Sequence, residues 1–220
     1  SEKTLHLIRD RMGIKPLYWC CYDGKIIFGS ELKAFKALRT WKPKIDRNSL
    51  ASFMRHNYVP APRTIYEGVF KLEPGTRAII SRKKEPKIVH YWNFLDIAQR
   101  ASQNPDNGSA EEIVSRVETL LLDSVRRRMV SDVPIGALLS GGIDSSTISA
   151  LMTENSAGRK IKTFSIGFSE KGYDEAPYAS AVAKYLKTEH TELYAQSKDA
   201  IELIEKMPIM YDEPFADSSQ

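Results

Sequence analysis

The chain has 220 residues, of which 42% are hydrophobic and 27% charged, a balance that excludes disordered, collagen-like and coiled-coil proteins. Its net charge of +4 hides an asymmetry: residues 1–100 carry 20 Lys and Arg against 9 Asp and Glu, and the remainder carries 12 against 19. No run approaches the ~20 apolar residues of a membrane span, so no membrane association is expected.

From Thr4 to about Ser30 the pattern is β. TLHLIRDR alternates, MGIKP turns, and LYWCCY and KIIFGSE flank an Asp23–Gly24 pair, a strong hairpin signal. ELKAFKALR predicts a short amphipathic helix with Leu32, Phe35 and Leu38 at helical spacing, and RNSLASFMRHN predicts a second. After the Pro-rich VPAPRTIYEG, the segments VFKLEPGTRAIISRK and PKIVHYWNF read as further strands, turned at Pro74–Gly75. Residues 98–109, AQRASQNPDNGS, lack apolar periodicity and fall where the charge balance reverses, so they are expected to link domains at 1–97 and 110–220.

Beyond the linker, Ser109 and Glu112 make a capping-box pattern ahead of a helix with Ile113, Val117, Leu120, Leu121 and Val125 on one stripe. VPIGALLS, KIKTFSIGF and TEHTELY read as strands. SSTISALMTE, DEAPYASAVAKYLK (Tyr178, Val182 and Leu186 inward) and DAIELIEKMPIMYD read as helices. This alternation implies a parallel sheet covered on both faces, so the expected fold class is α+β followed by α/β. The two cysteines, Cys20 and Cys21, are adjacent on a strand and point to opposite faces; an ordinary disulfide between them is excluded, which fits a reducing cytoplasm.

The chemistry concentrates in Ser140-Gly141-Gly142-Ile143-Asp144-Ser145-Ser146, set between a buried strand and a helix start. Paired glycines leave backbone N–H groups open to phosphate oxygens, and the helix dipole points at the same place. Ser140, Ser145 and Ser146 add hydroxyl donors. Asp144 would repel phosphates unless a cation intervened, and Mg²⁺, which takes one or two carboxylates plus phosphate oxygens, suits that role. No Gly-Lys-Ser/Thr follows, so this is not the usual P-loop. The four histidines, His6, His56, His90 and His190, have no metal-ligand spacing, and Arg126–Arg127–Arg128 reads as a solvated or interdomain face rather than a nucleic-acid patch. Arg9, Asp10 and Lys15, flanking a β-turn, read as residues that fix the hairpin or a domain interface.

SGGIDSS resembles the PP-loop of ATP pyrophosphatases. The longer VRRRMVSDVPIGALLSGGIDSS resembles the opening of the synthetase domain of glutamine-hydrolysing asparagine synthetases, with FSIGFSEKGYDEAPYASAVAKYLKTEH and MYDEPFADSSQ similar to that family's next segments. RDRMGIKPLYW and FGSELKAF resemble the closing part of its N-terminal glutaminase domain. The resemblance implies an antiparallel N-terminal-nucleophile amidotransferase portion followed by a parallel-sheet, adenine nucleotide alpha-hydrolase-like portion. It implies that Ser140, Gly141, Gly142, Ser145 and Ser146 bind ATP phosphates, that Asp144 holds Mg²⁺, and that Leu139 and Ile166 contact the adenosine part. It implies, more weakly, that Asp212, Glu213, Asp217 and Ser218 lie near the aspartate side of the cleft.

The implied activity is asparagine synthesis in the cytoplasm: glutamine supplies ammonia, and ATP converts aspartate to β-aspartyl-AMP with release of pyrophosphate. The implied partners are aspartate, glutamine and ATP, with no nucleic acid or membrane, and a homodimer is left open. The family's N-terminal cysteine nucleophile has no counterpart here, nor does its second phosphate segment, so an excised piece of a longer protein, inactive alone, is expected. Other PP-loop synthetases of β-lactam-forming or glycan-modifying type, and a non-catalytic nucleotide-binding fragment, are the alternatives.

Overall fold

The computed structural model describes residues 3–81, 84–168 and 174–216. The chain divides into two compact units: residues up to Pro105 together with those from Glu205 onward form unit 1, and Asp106–Ile204 form unit 2. Among the described residues, no helix is long and apolar enough to cross a membrane.

Unit 1 contains two antiparallel three-stranded sheets. One has β5 (Thr76–Ser81) between β1 (Thr4–Ile8) and β6 (Lys84–His90); the other has β2 (Tyr18–Tyr22) between β3 (Lys25–Gly29) and β4 (Val69–Lys71). The chain changes sheets at Pro74–Gly75, so VFKLEPGTRAIIS supplies two strands rather than one. Asp23 and Gly24 both have positive φ, as a two-residue hairpin turn of the right twist requires.

Strand alternation assigns β2 to two cores. Trp19 packs with Leu7, Leu72, Ala78 and Ile80, drawing residues from both sheets. Cys20 points the other way, into a cluster of Leu32, Phe35, Trp41, Val59, Ile65 and Val69. Cys20 is buried and Cys21 exposed, and both thiols are free. The predicted helix near residue 32 is a 3-10 helix, Leu32–Ala37, whose i, i+3 pair Leu32 and Phe35 are both buried. It is followed by α1 (Arg47–His56), capped by Asp46.

The motif at residues 9–15 is a turn brace. Arg9 donates to the carbonyls of Leu72 (2.6 Å), Gly13 (2.8 Å) and Lys15 (3.2 Å), and the Asp10 carboxylate accepts from Ile14 and Lys15 N–H. Those two N–H groups, first of all, hold the Asp10 carboxyl below its ordinary value.

The expected linker begins inside a helix. Asn93 caps α2 (Phe94–Gln103), and the boundary between units falls after Pro105. The Asn-capped start NFLD was the signal for it, overridden in the sequence by the polar run that follows.

Unit 2 opens with α3 (Ala110–Arg128), where Ser109 and Glu112 form the predicted capping box. Of the predicted stripe only Val125 is buried, with Val117, Leu120 and Leu121 exposed, because α3 packs on α4 through Leu122, Val125 and Met129. Arg126 and Arg127 pair with Asp123 on the solvated face. The sheet is parallel, β7 (Gly136–Leu138), β8 (Lys162–Phe168) and β9 (Glu189–Ala195), with α4 (Ile143–Glu154) and α5 (Ala176–Leu186) as crossovers.

Two corrections follow from its packing. The helices lie on the face of Ala137, Thr163 and Ser165, while Leu138, Phe164, Ile166, Phe168 and Leu193 stand exposed on the other, so among the described residues only one face of the sheet is covered. In α5 the fully buried residues are Ala176, Ala179 and Ala183, with Val182 packed against them as predicted and Leu186 half-buried, whereas Tyr178 is 70% exposed. The last predicted helix is two, α6 (Ser197–Ile204) and α7 (Met207–Met210), the second begun by Pro208.

Phe35, 1% exposed and edge-on to Trp41 at 5.6 Å, carries much of the unit 1 core. Phe35→Ala is expected to destabilise unit 1 by ~3–5 kcal/mol. All three tryptophans lie in unit 1, so a urea titration followed by tryptophan fluorescence reads this loss without interference from unit 2. Burial also pushes the Cys20 thiol up to about 11, with the neighbouring Cys21 adding to the shift. Iodoacetamide on the native protein at pH 8 is therefore expected to label Cys21 before Cys20, read by peptide mass.

Candidate functional site

The glycine-rich loop leaves the carboxyl end of β7, where Leu139 N–H donates to Phe164 O at 2.8 Å. Gly141 has φ +82, and a Cβ there would lie 2.6 Å from Tyr178 Cβ, 2.7 Å from Tyr178 C and 2.8 Å from Ala179 N. The loop is thus pressed onto the first turn of α5, an approach that only glycine permits. The alanines of α5 explain how the helix comes so close.

Gly142 is the N-cap of α4 and makes no side-chain cap, so the first-turn N–H groups of that helix are left uncapped. The loop is closed by its serines. Ser140 Oγ and Ser145 Oγ lie 3.0 Å apart, Ser140 N–H donates to Ser145 Oγ at 3.2 Å, and Gly142 N–H donates to Ser140 Oγ at 3.3 Å. Ser146 Oγ, like Ser149 Oγ one turn further along α4, is buried without a partner among the described residues. Asp144 is exposed in the first turn of α4 and makes no hydrogen bond or ion pair among the described residues.

Ser140, Gly141, Gly142, Asp144, Ser145 and Ser146 are therefore brought together as one loop and helix start. Leu139 and Ile166 are not brought together: Leu139 is buried on the helix side against Ala179 and Ala183, whereas Ile166 is 52% exposed on the opposite face of the sheet. On Ile166's side of the sheet lie Leu193, its partner in register, and Leu138, 79% exposed and paired in register with Phe164. The alternation of a short strand carried this distinction. Asp174 was also not singled out. Its carboxylate accepts from Ala176 N–H at 3.1 Å, capping α5, and lies 3.0 Å from where a Cβ on Gly167 would stand, at the carboxyl end of β8. The signal was an acidic residue two positions ahead of an Ala-Pro helix start.

Asp212 and Glu213 lie in unit 1 and are engaged there by backbone N–H groups and lysines. Asp217 and Ser218 lie outside the described residues. Among the described residues no three His, Cys, Asp or Glu side chains form a metal-binding group. His190 is engaged by Thr163 at 2.9 Å and Ser165 at 3.2 Å. A cation at Asp144 would draw its remaining ligands from water and ligand oxygens, as Mg²⁺ does at phosphates.

Residues 116–220 match the asparagine synthase family, and residues 1–92 match the glutamine amidotransferase domain. The putative glutamine-hydrolysing asparagine synthetase 2 of Methanocaldococcus jannaschii is 39% identical over 96% of this chain and 40% of its own length. Glutamine-hydrolysing asparagine synthetase 1 of Bacillus subtilis is 31% identical over 99% of this chain and 33% of its own length. The amidase chyE of Penicillium rubens is 30% identical over 91% of the chain and 32% of its own length. The chain thus spans 32–40% of these relatives.

Gly141→Ala adds a Cβ against α5 backbone at positive φ, and is expected to destabilise unit 2 by at least ~1–3 kcal/mol. Far-UV circular dichroism in urea should show the second unit melting earlier while the tryptophan-monitored transition stays put. An unmoved unit 2 transition would mean that the loop is not held against α5.

Proposed function

Because residues 1–92 match the glutamine amidotransferase domain and residues 116–220 the asparagine synthase family, one after the other, we propose that the chain comes from a glutamine-hydrolysing asparagine synthetase. In this reading unit 1 carries the closing part of an N-terminal-nucleophile amidotransferase domain, and residues 110–220 begin a PP-loop synthetase domain of the adenine nucleotide alpha-hydrolase type. The whole protein forms asparagine from aspartate, with ammonia drawn from glutamine, in the cytoplasm. The free thiols of Cys20 and Cys21 agree with that compartment.

The observation that carries the reading is the loop at Gly141. Its backbone approaches α5 so closely that no side chain fills the space beside it, and the α4 amides are uncapped. Ser145, Ser146 and those amides are assigned to phosphate oxygens, which they would hold through charge-assisted hydrogen bonds. Leu138 and Ile166 flank the adenosine part, and Leu139 sets the loop from within the core. Asp144 would hold a Mg²⁺, which would offset the negative charge of the phosphates. Magnesium ATP supplies the adenylyl group that activates aspartate as β-aspartyl-AMP, together with pyrophosphate as leaving group. The fixed dipoles of the loop stabilise charge as it develops on that leaving group without reorganising.

In the parent protein, Asp144→Ala is expected to lower aspartate-dependent pyrophosphate release by about 10²–10³-fold, the scale of losing one fixed electrostatic contact to the transition state. An undiminished rate would remove the loop from the reaction. Release supported by another carboxylic acid and not by aspartate would move the protein to the other PP-loop synthetases.

A further inference from the structure

Six asparagines occur in the chain, and their surroundings set one apart. Asn93 caps α2, and Asn155 donates to Leu122 O and Leu151 O. Asn104 donates to Arg100 O and precedes Pro105, whose nitrogen carries no hydrogen. Asn48 lies within α1, and Asn57 is followed by the bulky Tyr58. Asn107 is exposed in the connection between α2 and α3, makes no side-chain hydrogen bond among the described residues, and is followed by Gly108. Its side-chain amide is free to turn back onto the chain, and no Cβ on the next residue hinders that approach.

The neighbouring backbone nitrogen is held in place. Gly108 N–H donates to Asp106 Oδ1 at 2.9 Å. An N–H bond points within the peptide plane, so this contact leaves both faces of the nitrogen clear of the acceptor. Asp106 is fixed in turn by Arg116 at 2.8 Å. The Gly108 N–H first, then Arg116, holds the Asp106 carboxyl below its ordinary value, so it is ionised at neutral pH. The Arg116 guanidinium also stands beside Gly108, and with the amino end of α3 it offsets part of the negative charge of Asp106, Glu111 and Glu112.

We propose that Asn107–Gly108 is a self-modifying site, where the chain converts its own side-chain amide to a carboxylate with Asp106 as proton acceptor. The Gly108 nitrogen gives its proton to Asp106 and bonds to Asn107 Cγ. The Cγ–Nδ2 bond breaks, the proton passes to the departing nitrogen, and ammonia leaves behind a five-membered succinimide. Water then adds to one ring carbonyl. Breaking the bond from Cγ to the ring nitrogen gives aspartate at 107. Breaking the bond from the backbone carbonyl carbon gives isoaspartate, in which the main chain runs through the side chain and is one methylene longer. Overall, amide and water become carboxylate and ammonium, with no change of oxidation state. The change falls just ahead of the Ser109–Glu112 capping box and outside every apolar cluster, so it alters the connection between α2 and α3 and not a core.

The test incubates the folded protein at pH 8 in water enriched in heavy oxygen, beside a free peptide of residues 104–110. Peptide mass spectrometry locates the change, and isoaspartyl methyltransferase reports the longer isomer. Asn107 is expected to convert to both isomers with uptake of heavy oxygen, while the other five asparagines stay unchanged over the same period. Asp106→Ala, checked for folding by far-UV circular dichroism, is expected to slow conversion about tenfold. That is less than the roughly 10²–10⁴-fold of a base matched to the operating pH, because this carboxyl is held low. Gly108→Ala, which sets a Cβ beside the attacking nitrogen, is expected to slow it at least as much. A folded protein that keeps Asn107 while the free peptide converts overturns the site. An undiminished rate in folded Asp106→Ala overturns the part given to Asp106.

Discussion

Unit 2 is organised by the distance between the Gly141 backbone and the first turn of α5. A side chain at either Gly141 or the inner face of α5 would open it, and the sequence answers with glycine on one side and Ala176, Ala179 and Ala183 on the other. Once α5 is seated, Leu139 has a place to be buried, the loop is fixed at the end of β7, and α4 starts with its amides uncovered. Close packing of small residues thus does here what a large apolar contact does elsewhere: it converts a flexible Gly-Gly pair into a fixed surface.

Unit 1 works by a different rule. Its β2 strand separates two cores by simple alternation, Trp19 to one side and Cys20 to the other, and the 3-10 helix lays Phe35 beneath that strand. Polar groups then finish the work. Arg9 and Asp10 brace one turn, and Asp46 caps one helix.

The strands and most helices were legible because period-2 and period-3.6 patterns survive burial on one side. The capping box at Ser109 and the hairpin at Asp23–Gly24 were legible for the same local reason. What was not legible depended on tertiary distance. Tyr178 looked like the inner residue of α5 because large apolar side chains usually are; a helix that must touch a loop backbone turns its alanines inward instead. Leu138 and Leu139 are indistinguishable by type, and only the register of a three-residue strand separates them. The stripe on α3 and the apolar face of Leu138, Phe164 and Ile166 are real amphipathic signals whose partners are not among the described residues. Asp212 and Glu213 were placed by resemblance near a substrate, while their carboxylates are spent on N–H groups and lysines far away in sequence.

That last arrangement makes unit 1 discontinuous, with all of unit 2, Asp106–Ile204, inserted between its two pieces. During synthesis the ribosome delivers the β-sheets first and the tail only after this insertion, a delay of ~5–20 s at ordinary elongation rates. In that interval Leu32, Lys33 and Ile65 lack the acceptors they meet in the finished protein, and Lys71 lacks its carboxylate. Until then water alone satisfies those N–H groups and stands in for the Glu213 carboxylate at Lys71, so completion of unit 1 waits on translation of the residues inserted within it.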